Sequence, residues 1–426
     1  MNRKILSLAI PSIVANITTP LLGLVDTAIT GHMGSAVYIG AIAVGGVMFN
    51  MLYWLFGFLR GGTSGLAAQA YGAGDRDASD MVLYRSLAVA ATVGLAMILL
   101  QWPLGYILRS FVDSDPATAR LADRYFSILI YGAPAVLATY ALSGWFLGMQ
   151  NSRMLMVTSI VINTVNIVAS LAFVYGLGWQ IEGVACGTLI AQWTGLAVGV
   201  LLLRRYRLHR PAIGDILRGG ELKRFFRVNF DMMLRTVCLI AVTVWFTRAG
   251  ASQGAVILAV NTLLMQLFLL FSYMMDGFAY AGEALVGRFT GSRDIASLHL
   301  CVKRLFMWGA IWAGLFTALY FCGGEGFLKI LSSDRDVIAA SSDYYLWAVS
   351  VPFAGFAAFA WDGVFIGATL TRQLLVSMAG AMAVFFIIYL TLFRSMGNHA
   401  LWLAFVSYLF ARGAIQTWLY YNHKWE

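Results

Sequence analysis

Residues 204–227, RRYRLHRPAIGDILRGGELKRFFR, interrupt a chain that consists mostly of long apolar stretches. This segment contains eight basic residues. Six apolar stretches precede it and six follow it. The segment therefore divides the chain into two halves of similar length, and the relation between these halves decides the fold.

The composition is that of a membrane protein. Of the 426 residues, 60% are hydrophobic and only 12% are charged, whereas soluble domains carry about 25% charged residues. A helix needs about 20 apolar residues to cross the hydrocarbon core of a bilayer. None of the apolar stretches shows the sustained alternation of a membrane β-strand, so we predict an all-α membrane protein. The twelve predicted spans lie at about 6–31, 38–62, 86–108, 124–148, 154–176, 182–203, 228–250, 255–285, 304–324, 344–368, 373–393 and 400–421.

The distribution of basic residues predicts the orientation. Twelve spans place both termini on one side, and most basic residues between spans lie on that side, chiefly in residues 204–227. Cytoplasmic loops carry such an excess of Lys and Arg. We therefore expect a multi-pass protein of the bacterial inner (plasma) membrane with both termini in the cytoplasm. Because the charges follow the loops, the net charge of +9 does not indicate a nucleic-acid partner.

Two pairs of segments indicate an internal duplication. Residues 144–153, GWFLGMQNSR, match residues 363–372, GVFIGATLTR, in two glycines, a phenylalanine and an arginine at a constant offset of 219. Residues 72–79, GAGDRDAS, correspond to residues 290–296, TGSRDIA, at nearly the same offset. Secondary transporters commonly contain such repeats, with substrate sites near the bilayer midplane between them.

The duplication predicts the domain organisation. We expect two pseudo-symmetric six-helix lobes, residues 1–203 and residues 228–426, joined by a basic cytoplasmic connector at residues 204–227. Both lobes have the same topology, so an axis along the membrane normal should relate them.

Acidic residues at membrane depth are the first candidates for a functional site, because a charge at the bilayer centre costs at least about 2.5–3.5 kcal/mol. Asp276 and Glu283 are seven residues apart in the eighth span, which places them on nearly one helix face. Facing an aqueous cavity, they would form a ladder for a proton or a cation. Glu283 also fits a simpler position, solvated at the cytoplasmic mouth. Asp362, deep in the tenth span, shares the Asp-Gly step of Asp276.

The seventh span contains a charged pair. Asp231 and Arg235 are four residues apart, which allows an ion pair within one helix. Alternatively, Arg235 stabilises the ionised form of an acid in the eighth span.

The first half offers a second candidate site. Asp26 lies in the first span, in LLGLVDTAITGHMG at residues 21–34, and Pro11 and Pro20 permit that helix to kink. Bent helices of this kind are common gating elements in membrane carriers.

Polar residues of the fifth and sixth spans would surround Asp26. Asn163, Asn166 and Ser170 share one face of the fifth span, and Thr188 and Gln192 lie on the sixth. Their oxygens would close a small polar cage around the carboxylate. Ordinary hydrogen bonding between helices is the alternative for these side chains.

The pattern LxxLVDTAITGHMGS of the first span, the two halves of six spans and the Asp-Gly steps resemble the multidrug and toxic compound extrusion (MATE) family. Residues 276–287, DGFAYAGEALVG, and residues 361–372, WDGVFIGATLTR, are similar to its DinF-type branch. The resemblance implies a V-shaped pair of six-helix lobes. It also implies an antiporter that uses a proton or sodium gradient, without a cofactor, to expel small amphipathic cationic compounds.

The resemblance also assigns roles to particular residues. Asp26 matches the main coupling aspartate of bacterial relatives, and Pro11 matches the kinking proline. Asn166 and Thr188 match the supporting asparagine and threonine. A second aspartate of several relatives falls on Ser170, which leaves less negative charge for sodium at Asp26. In plant and animal-type members the coupling carboxylates lie in the second lobe, which implies Asp276, Glu283 and Asp362.

The residues and the resemblance together predict a proton-coupled exporter of organic cations, and we expect a monomer. A sodium-coupled exporter, a channel and a lipid-linked oligosaccharide flippase are the alternatives. A flippase needs a wide basic cavity, whereas Arg235 is the main basic residue at membrane depth, with Arg60 and Arg412 nearer the ends of their spans. An enzyme is disfavoured because the five histidines are dispersed, and the four cysteines form neither a metal motif nor a disulfide framework.

Overall fold

The computed structural model describes residues 1–31, 36–110, 115–209, 214, 220–331 and 335–425. Within these residues the chain is helical and contains no strand. Parts of two predicted features lie outside the described residues, namely residues 32–35 of the first-span motif and residues 210–213 and 215–219 of the basic connector.

Nine helices of the described residues precede the connector. They are α1 (Asn2–Gly31), α2 (Ala36–Leu55), α3 (Phe58–Ala73), α4 (Arg76–Leu99), α5 (Gln101–Arg109), α6 (Pro116–Leu129), α7 (Ala133–Gly148), α8 (Ser152–Leu171) and α9 (Ile181–Leu203). A short 3₁₀ turn, Ile130–Gly132, joins α6 to α7, and a π-helical turn, Ala172–Gly176, extends α8.

Eight described helices follow the connector. They are α10 (Gly220–Ala251), α11 (Ala255–Gly291), α12 (Ile295–Gly323), α13 (Glu325–Leu331), α14 (Arg335–Ser341), α15 (Tyr345–Gly367), α16 (Thr371–Met396) and α17 (Asn398–Tyr421).

The predicted spans correspond to these helices. Ten helical segments of the described residues are long and apolar enough to cross a membrane, and they match the second to the eleventh predicted spans. Helices α1 and α17 cover the first and the twelfth. The predicted third span began too late, since α4 starts at Arg76. Its first turns carry Asp77 and Asp80, and their polarity resembles that of a loop.

The helices pack into two compact units. Residues 14–229 form one, here called the N-unit, and residues 1–13 with residues 230–426 form the other, here called the C-unit. The predicted lobes assigned all of α1 to the first half. The start of α1 packs in the C-unit because Gly277 of α11 has no side chain, and a Cβ there would lie 2.3 Å from Ile13 Cγ1.

The same close helix contact occurs in both units. A Cβ on Gly144 of α7 would lie 2.2 Å from the backbone oxygen of Arg60 in α3. A Cβ on Gly363 of α15 would lie 2.2 Å from the backbone oxygen of Ala279 in α11. Both members of the second pair lie 219 residues after their counterparts in the first. The matching glycines of the sequence repeat therefore hold equivalent helices together at backbone distance.

The next helix along the chain, α4 after α3 and α12 after α11, also begins in the same way in both units. The Asp75 side chain accepts a hydrogen bond from Ala78 N at 2.9 Å, and the Asp294 side chain accepts one from Ser297 N at 3.0 Å. Each aspartate is an N-cap residue. Hydrogen bonds from Ser297 lower the pKa of the exposed Asp294 carboxyl. The second sequence match thus corresponds to two equivalent helix caps, again at an offset of 219.

Candidate functional site

Asp26 of α1 is a half-buried acid of the N-unit. One oxygen of its carboxyl group, Oδ1, is buried and has no hydrogen-bond partner among the described residues. The hydroxyl group of Thr30 donates to the backbone oxygen of Asp26, at 2.8 Å, and not to this carboxyl oxygen. An ionised carboxylate can only accept hydrogen bonds, and an unsatisfied buried oxygen is costly. A proton or a cation would satisfy it.

Helices α6, α8 and α9 connect Asp26 to the predicted cage. Tyr125 of α6 interacts electrostatically with Asp26 and with the Thr188 hydroxyl of α9. Asn166 Nδ2 of α8 donates to Thr188 Oγ1 at 2.8 Å, and Thr188 Oγ1 donates to the backbone oxygen of Val184 at 3.0 Å. The structure therefore brings Asp26, Asn166 and Thr188 into one polar network. Tyr125 belongs to this network but was missed in the sequence, because one tyrosine among 19 carries no distinguishing signal.

This network contains more acceptors than its neighbours satisfy. Asn166 and Ser170 are fully buried, at 0% exposure. Within the described residues, Asn166 Oδ1, Ser170 Oγ and Gln192 Oε1 have no hydrogen-bond partner. Helices α8 and α9 pack closely here, since a Cβ on Gly187 would lie 2.4 Å from Ser170 Oγ. Unsatisfied buried oxygens of this kind could accept a proton or contact a small cation.

The remaining residues that were predicted to surround or support Asp26 are Asn163 and Pro11. Asn163 is half-buried, one helical turn before Asn166. Pro11 is buried in α1 but belongs to the C-unit, so it is not part of the N-unit network. Within the described residues, no group of three or more His, Cys, Asp or Glu side chains could hold a metal ion.

Asp362 of α15 lies at the centre of a buried ion cluster in the C-unit. Arg235 of α10 and Arg412 of α17 both donate to its Oδ2. Gln416 Nε2 donates to its Oδ1 at 2.9 Å. Asp362 is 7% exposed and Arg412 is 3% exposed. The carboxylate is thus fully engaged as the counter-ion of two guanidinium groups, as a buried charge requires.

This cluster corrects two expectations about basic residues. Arg412 does not lie near an exposed end but is buried beside Asp362, with its guanidinium 5.7 Å from the centre of the Phe359 ring. The predicted pair within α10 does not form, because Arg235 turns to Asp362. Arg412 and Gln416 are four residues apart in an apolar helix. This spacing was the feature of the sequence that could have predicted their shared contact with a buried acid.

Asp231 has other partners at the start of the C-unit. Its Oδ1 lies 3.6 Å from Arg372 Nη1, and Thr371 Oγ1 donates to its Oδ2 at 3.3 Å. The Arg372 side chain is 74% exposed, whereas that of Asp231 is 7% exposed. Asp231 therefore ties α10 to the start of α16 through an ion pair that opens to solvent.

The two acids of α11 have different surroundings. Asp276 is half-buried and interacts electrostatically with Arg412, so it adds negative charge beside the Asp362 cluster. Glu283 is 1% exposed. This burial contradicts the alternative interpretation, in which Glu283 is solvated at the cytoplasmic mouth. Its backbone oxygen packs against α15, where a Cβ on Gly367 would lie 2.6 Å away.

Comparison with known proteins gives consistent matches along the chain. The MatE family matches residues 11–171 and 228–392. The chain is similar to "DNA damage-inducible protein F" of Escherichia coli (strain K12), with 38% identity over 98% of this chain and 91% of that protein. It is also similar to "Protein DETOXIFICATION 44, chloroplastic" of Arabidopsis thaliana, with 24% identity over 85% of this chain and 71% of that protein. "Multidrug resistance protein MdtK" of Klebsiella pneumoniae (strain 342) is 31% identical over 57% of this chain and 53% of its own length.

Solved structures share the fold. "Crystal structure of MATE in the bent conformation" superposes with a TM-score of 0.88 at 20% identity, over 98% of this chain and 94% of that one. A transporter of the MOP superfamily from Pyrococcus furiosus superposes with a TM-score of 0.85 at 18% identity, over 97% and 94% of the two chains. The predicted fold class, an all-α membrane protein with two pseudo-symmetric six-helix lobes, is confirmed.

Proposed function

The chain belongs to the MatE family, whose members are transporters and not enzymes, and from this premise we propose that it exports small amphipathic organic cations in exchange for protons. The buried, unpartnered Oδ1 of Asp26 supports the proposal most directly. Of the acids considered, Asp26 combines membrane depth with an unsatisfied carboxyl oxygen, which is the property that a coupling group needs.

The proposal places the coupling site in the N-unit. Asp362 already binds two arginines and a glutamine. A proton or a substrate cation that displaced them would leave two buried arginines without their counter-ion. Among the described residues, Asp26 Oδ1 has no such partner, and Tyr125 links Asp26 to the Thr188 hydroxyl that Asn166 contacts. Protonation of Asp26 would therefore cost no ion pair, whereas protonation of Asp362 would break two. Asp276 and Glu283 would then act as secondary polar positions of the C-unit.

Proton coupling is favoured over sodium coupling by the side chains around Asp26. A sodium ion that loses its hydration shell needs several oxygen ligands and enough negative charge to replace it. Ser170 supplies a neutral hydroxyl in place of a second carboxylate. A proton needs one carboxylate oxygen, and Asp26 Oδ1 provides it. Antiport requires that the protonated protein and the cation-bound protein prefer different conformations. A ligand shifts the equilibrium between two conformations only as far as its affinities for them differ.

We place this activity in the bacterial inner membrane, with both termini in the cytoplasm and the chain acting as a monomer. The basic residues at the ends of the connector support this orientation, because Arg204, Arg205 and Arg207 directly follow α9. Export then runs from the cytoplasm outward, driven by inward proton flow.

Transport in proteoliposomes tests the function. The purified chain is reconstituted, and movement of tetraphenylphosphonium is measured under an imposed proton gradient, an imposed sodium gradient, or neither. We expect uptake against the cation's own gradient with the proton gradient alone, and its loss in Asp26→Asn. Asp77→Asn is the matched control, since Asp77 is an exposed residue of the same unit. Transport driven only by sodium, or full activity of Asp26→Asn, would refute the proposal.

A further inference from the structure

A cavity of about 660 Å³ lies in the C-unit between α12, α15, α17 and the C-terminal segment. Three basic or titratable side chains, His299, Lys303 and His423, line it together with aromatic side chains that include Trp361 and Trp425. None of the described residues that line this cavity is acidic. The cavity is therefore a candidate site for an anion, separate from the Asp26 network of the N-unit.

Packing fixes the aromatic floor of the cavity. The ring centres of Trp361 and Tyr420 lie 4.4 Å apart, and those of Tyr420 and Trp425 lie 5.2 Å apart. Trp361 Nε1 donates to Thr417 Oγ1 at 2.7 Å. Trp361 and Tyr420 are 3% and 5% exposed. The floor is thus preformed, whereas the side chains of His299 and Lys303 are exposed at the rim.

The internal duplication supplies a comparison. The N-unit has a cavity of about 630 Å³ that is lined by three arginines but also by Asp75 and Asp80. With the offset of 219, Asp80 corresponds to His299 of the C-unit. Asp80 Oδ2 accepts a hydrogen bond from the backbone nitrogen of His209 at 2.8 Å. The N-unit cavity thus supplies its own acidic groups, whereas the C-unit cavity carries a histidine where the acid would be.

An exposed apolar face leads to the C-unit cavity. Phe410, Trp418 and Tyr421 of α17 are 65%, 65% and 79% exposed, and their spacing places them on one side of the helix. Because α17 covers the predicted twelfth span, these exposed side chains would contact the acyl chains of lipids. Tyr421 also lines the cavity, so the apolar face and the cavity are continuous.

We propose that this cavity binds the phosphate headgroup of an anionic phospholipid, whose acyl chains lie along the exposed face of α17. Lys303 would contribute charge and hydrogen bonds to the phosphate, and His299 and His423 would donate further hydrogen bonds. Basic pockets between membrane helices bind anionic headgroups in this way, and Trp and Tyr favour the headgroup level of the bilayer. A free phosphate would use the same cationic side chains but would leave the apolar face without a role.

Native mass spectrometry of the full chain, released from detergent, tests the site. The protein is titrated with phosphatidylglycerol or with phosphatidylcholine of the same acyl chains. We expect preferential binding of one phosphatidylglycerol by the wild type. Lys303→Ala should lower that affinity about fivefold, which converts to about 1 kcal/mol for one basic residue at a membrane surface. His299→Asp, which introduces the acid of the N-unit cavity, should abolish the preference.

Lys424→Ala is the matched control. Lys424 lies between two residues that line the cavity, but it is exposed and does not line the cavity itself, so its replacement should leave the preference unchanged. Equal binding of both lipids by the wild type, or equal losses in Lys303→Ala and Lys424→Ala, would overturn the proposal. Complete displacement of the lipid by millimolar inorganic phosphate would also overturn it and would identify a site for free phosphate.

Discussion

Replacing Asp362 with asparagine would remove the shared counter-ion of Arg235 and Arg412. The side chain of Arg235 is 14% exposed and that of Arg412 is 4% exposed, so water reaches neither well enough to replace the carboxylate. Removing one partner of a buried ion pair costs about 3–5 kcal/mol. Because one substitution affects two cations, while Asp276 still compensates Arg412 in part, we expect the upper part of that range, about 4–5 kcal/mol.

The expected loss is large enough to measure as a thermal shift. A unit of about 200 residues shifts its Tm by about 2–4 °C for each kcal/mol. Asp362→Asn should therefore lower the Tm of the C-unit by about 8–20 °C. The assay is the fraction of monodisperse full-length protein in detergent after heating, measured by size-exclusion chromatography.

Asp231→Asn is the matched control for this prediction. It is the same substitution in the same unit, but the partner Arg372 lies 3.6 Å away and is 74% exposed. Exposed ion pairs contribute about 0–1 kcal/mol, so a shift of at most about 4 °C is expected. An unchanged Tm for Asp362→Asn, or equal shifts for the two variants, would show that the cluster does not stabilise the C-unit in the way proposed.

Three further predictions concern the repeat, its caps and the N-unit network. Gly144→Ala and Gly363→Ala should each lower the free energy of unfolding by about 1–3 kcal/mol through overpacking. Gly314→Ala is the control and should not lower the Tm, because no atom lies within 4 Å of its Cβ. Equal Tm changes for the three variants would contradict the backbone contact. The pKa of Asp294 is lowered from its ordinary value of 3.8, so its ionised side chain stabilises the helix cap above pH 3.8 and loses this effect as the pH falls further. The Tm difference between wild type and Asp294→Ala should therefore shrink in acid. A Tm difference that grows in acid would contradict this role. Asn166→Ala should reduce proton-driven transport about 5- to 30-fold while leaving expression unchanged, since it removes the donor to Thr188 and costs about 1–2 kcal/mol of preorganisation. Unaltered initial rates in proteoliposomes would exclude Asn166 from the site.

The fold was largely predictable from the sequence because its determinants are local or repeated. Apolar length located ten membrane-length helices of the described residues, although the start of the third was placed too late. The repeated glycines Gly144 and Gly363 identified equivalent helices that meet at backbone distance. The assignment of residues 1–13 to the C-unit was not predictable. It depends on the contact of Gly277 with Ile13, and these residues are far apart in the sequence.

The sequence identified those residues of the candidate site whose polar side chains are energetically costly to bury. Asp26 and Asn166 were identified because a carboxylate and an amide are expensive at membrane depth. The partner of Arg235 was not predicted correctly, since helical spacing favoured Asp231 while tertiary packing supplied Asp362. Arg412 was underestimated because its position along α17 does not reveal which helix faces it. Pairing between helices is set by packing, which the spacing within one helix does not encode.

We propose that Asp26 exchanges a proton for a cationic substrate. Proton release on substrate binding tests this most directly, with tetraphenylphosphonium added to purified protein in weakly buffered detergent solution, because this cation has no proton of its own to lose. We expect release of nearly one proton for each cation bound by the wild type, and no release by Asp26→Asn at saturation. Equal proton release from both proteins, or binding without release in the wild type at any pH, would contradict it.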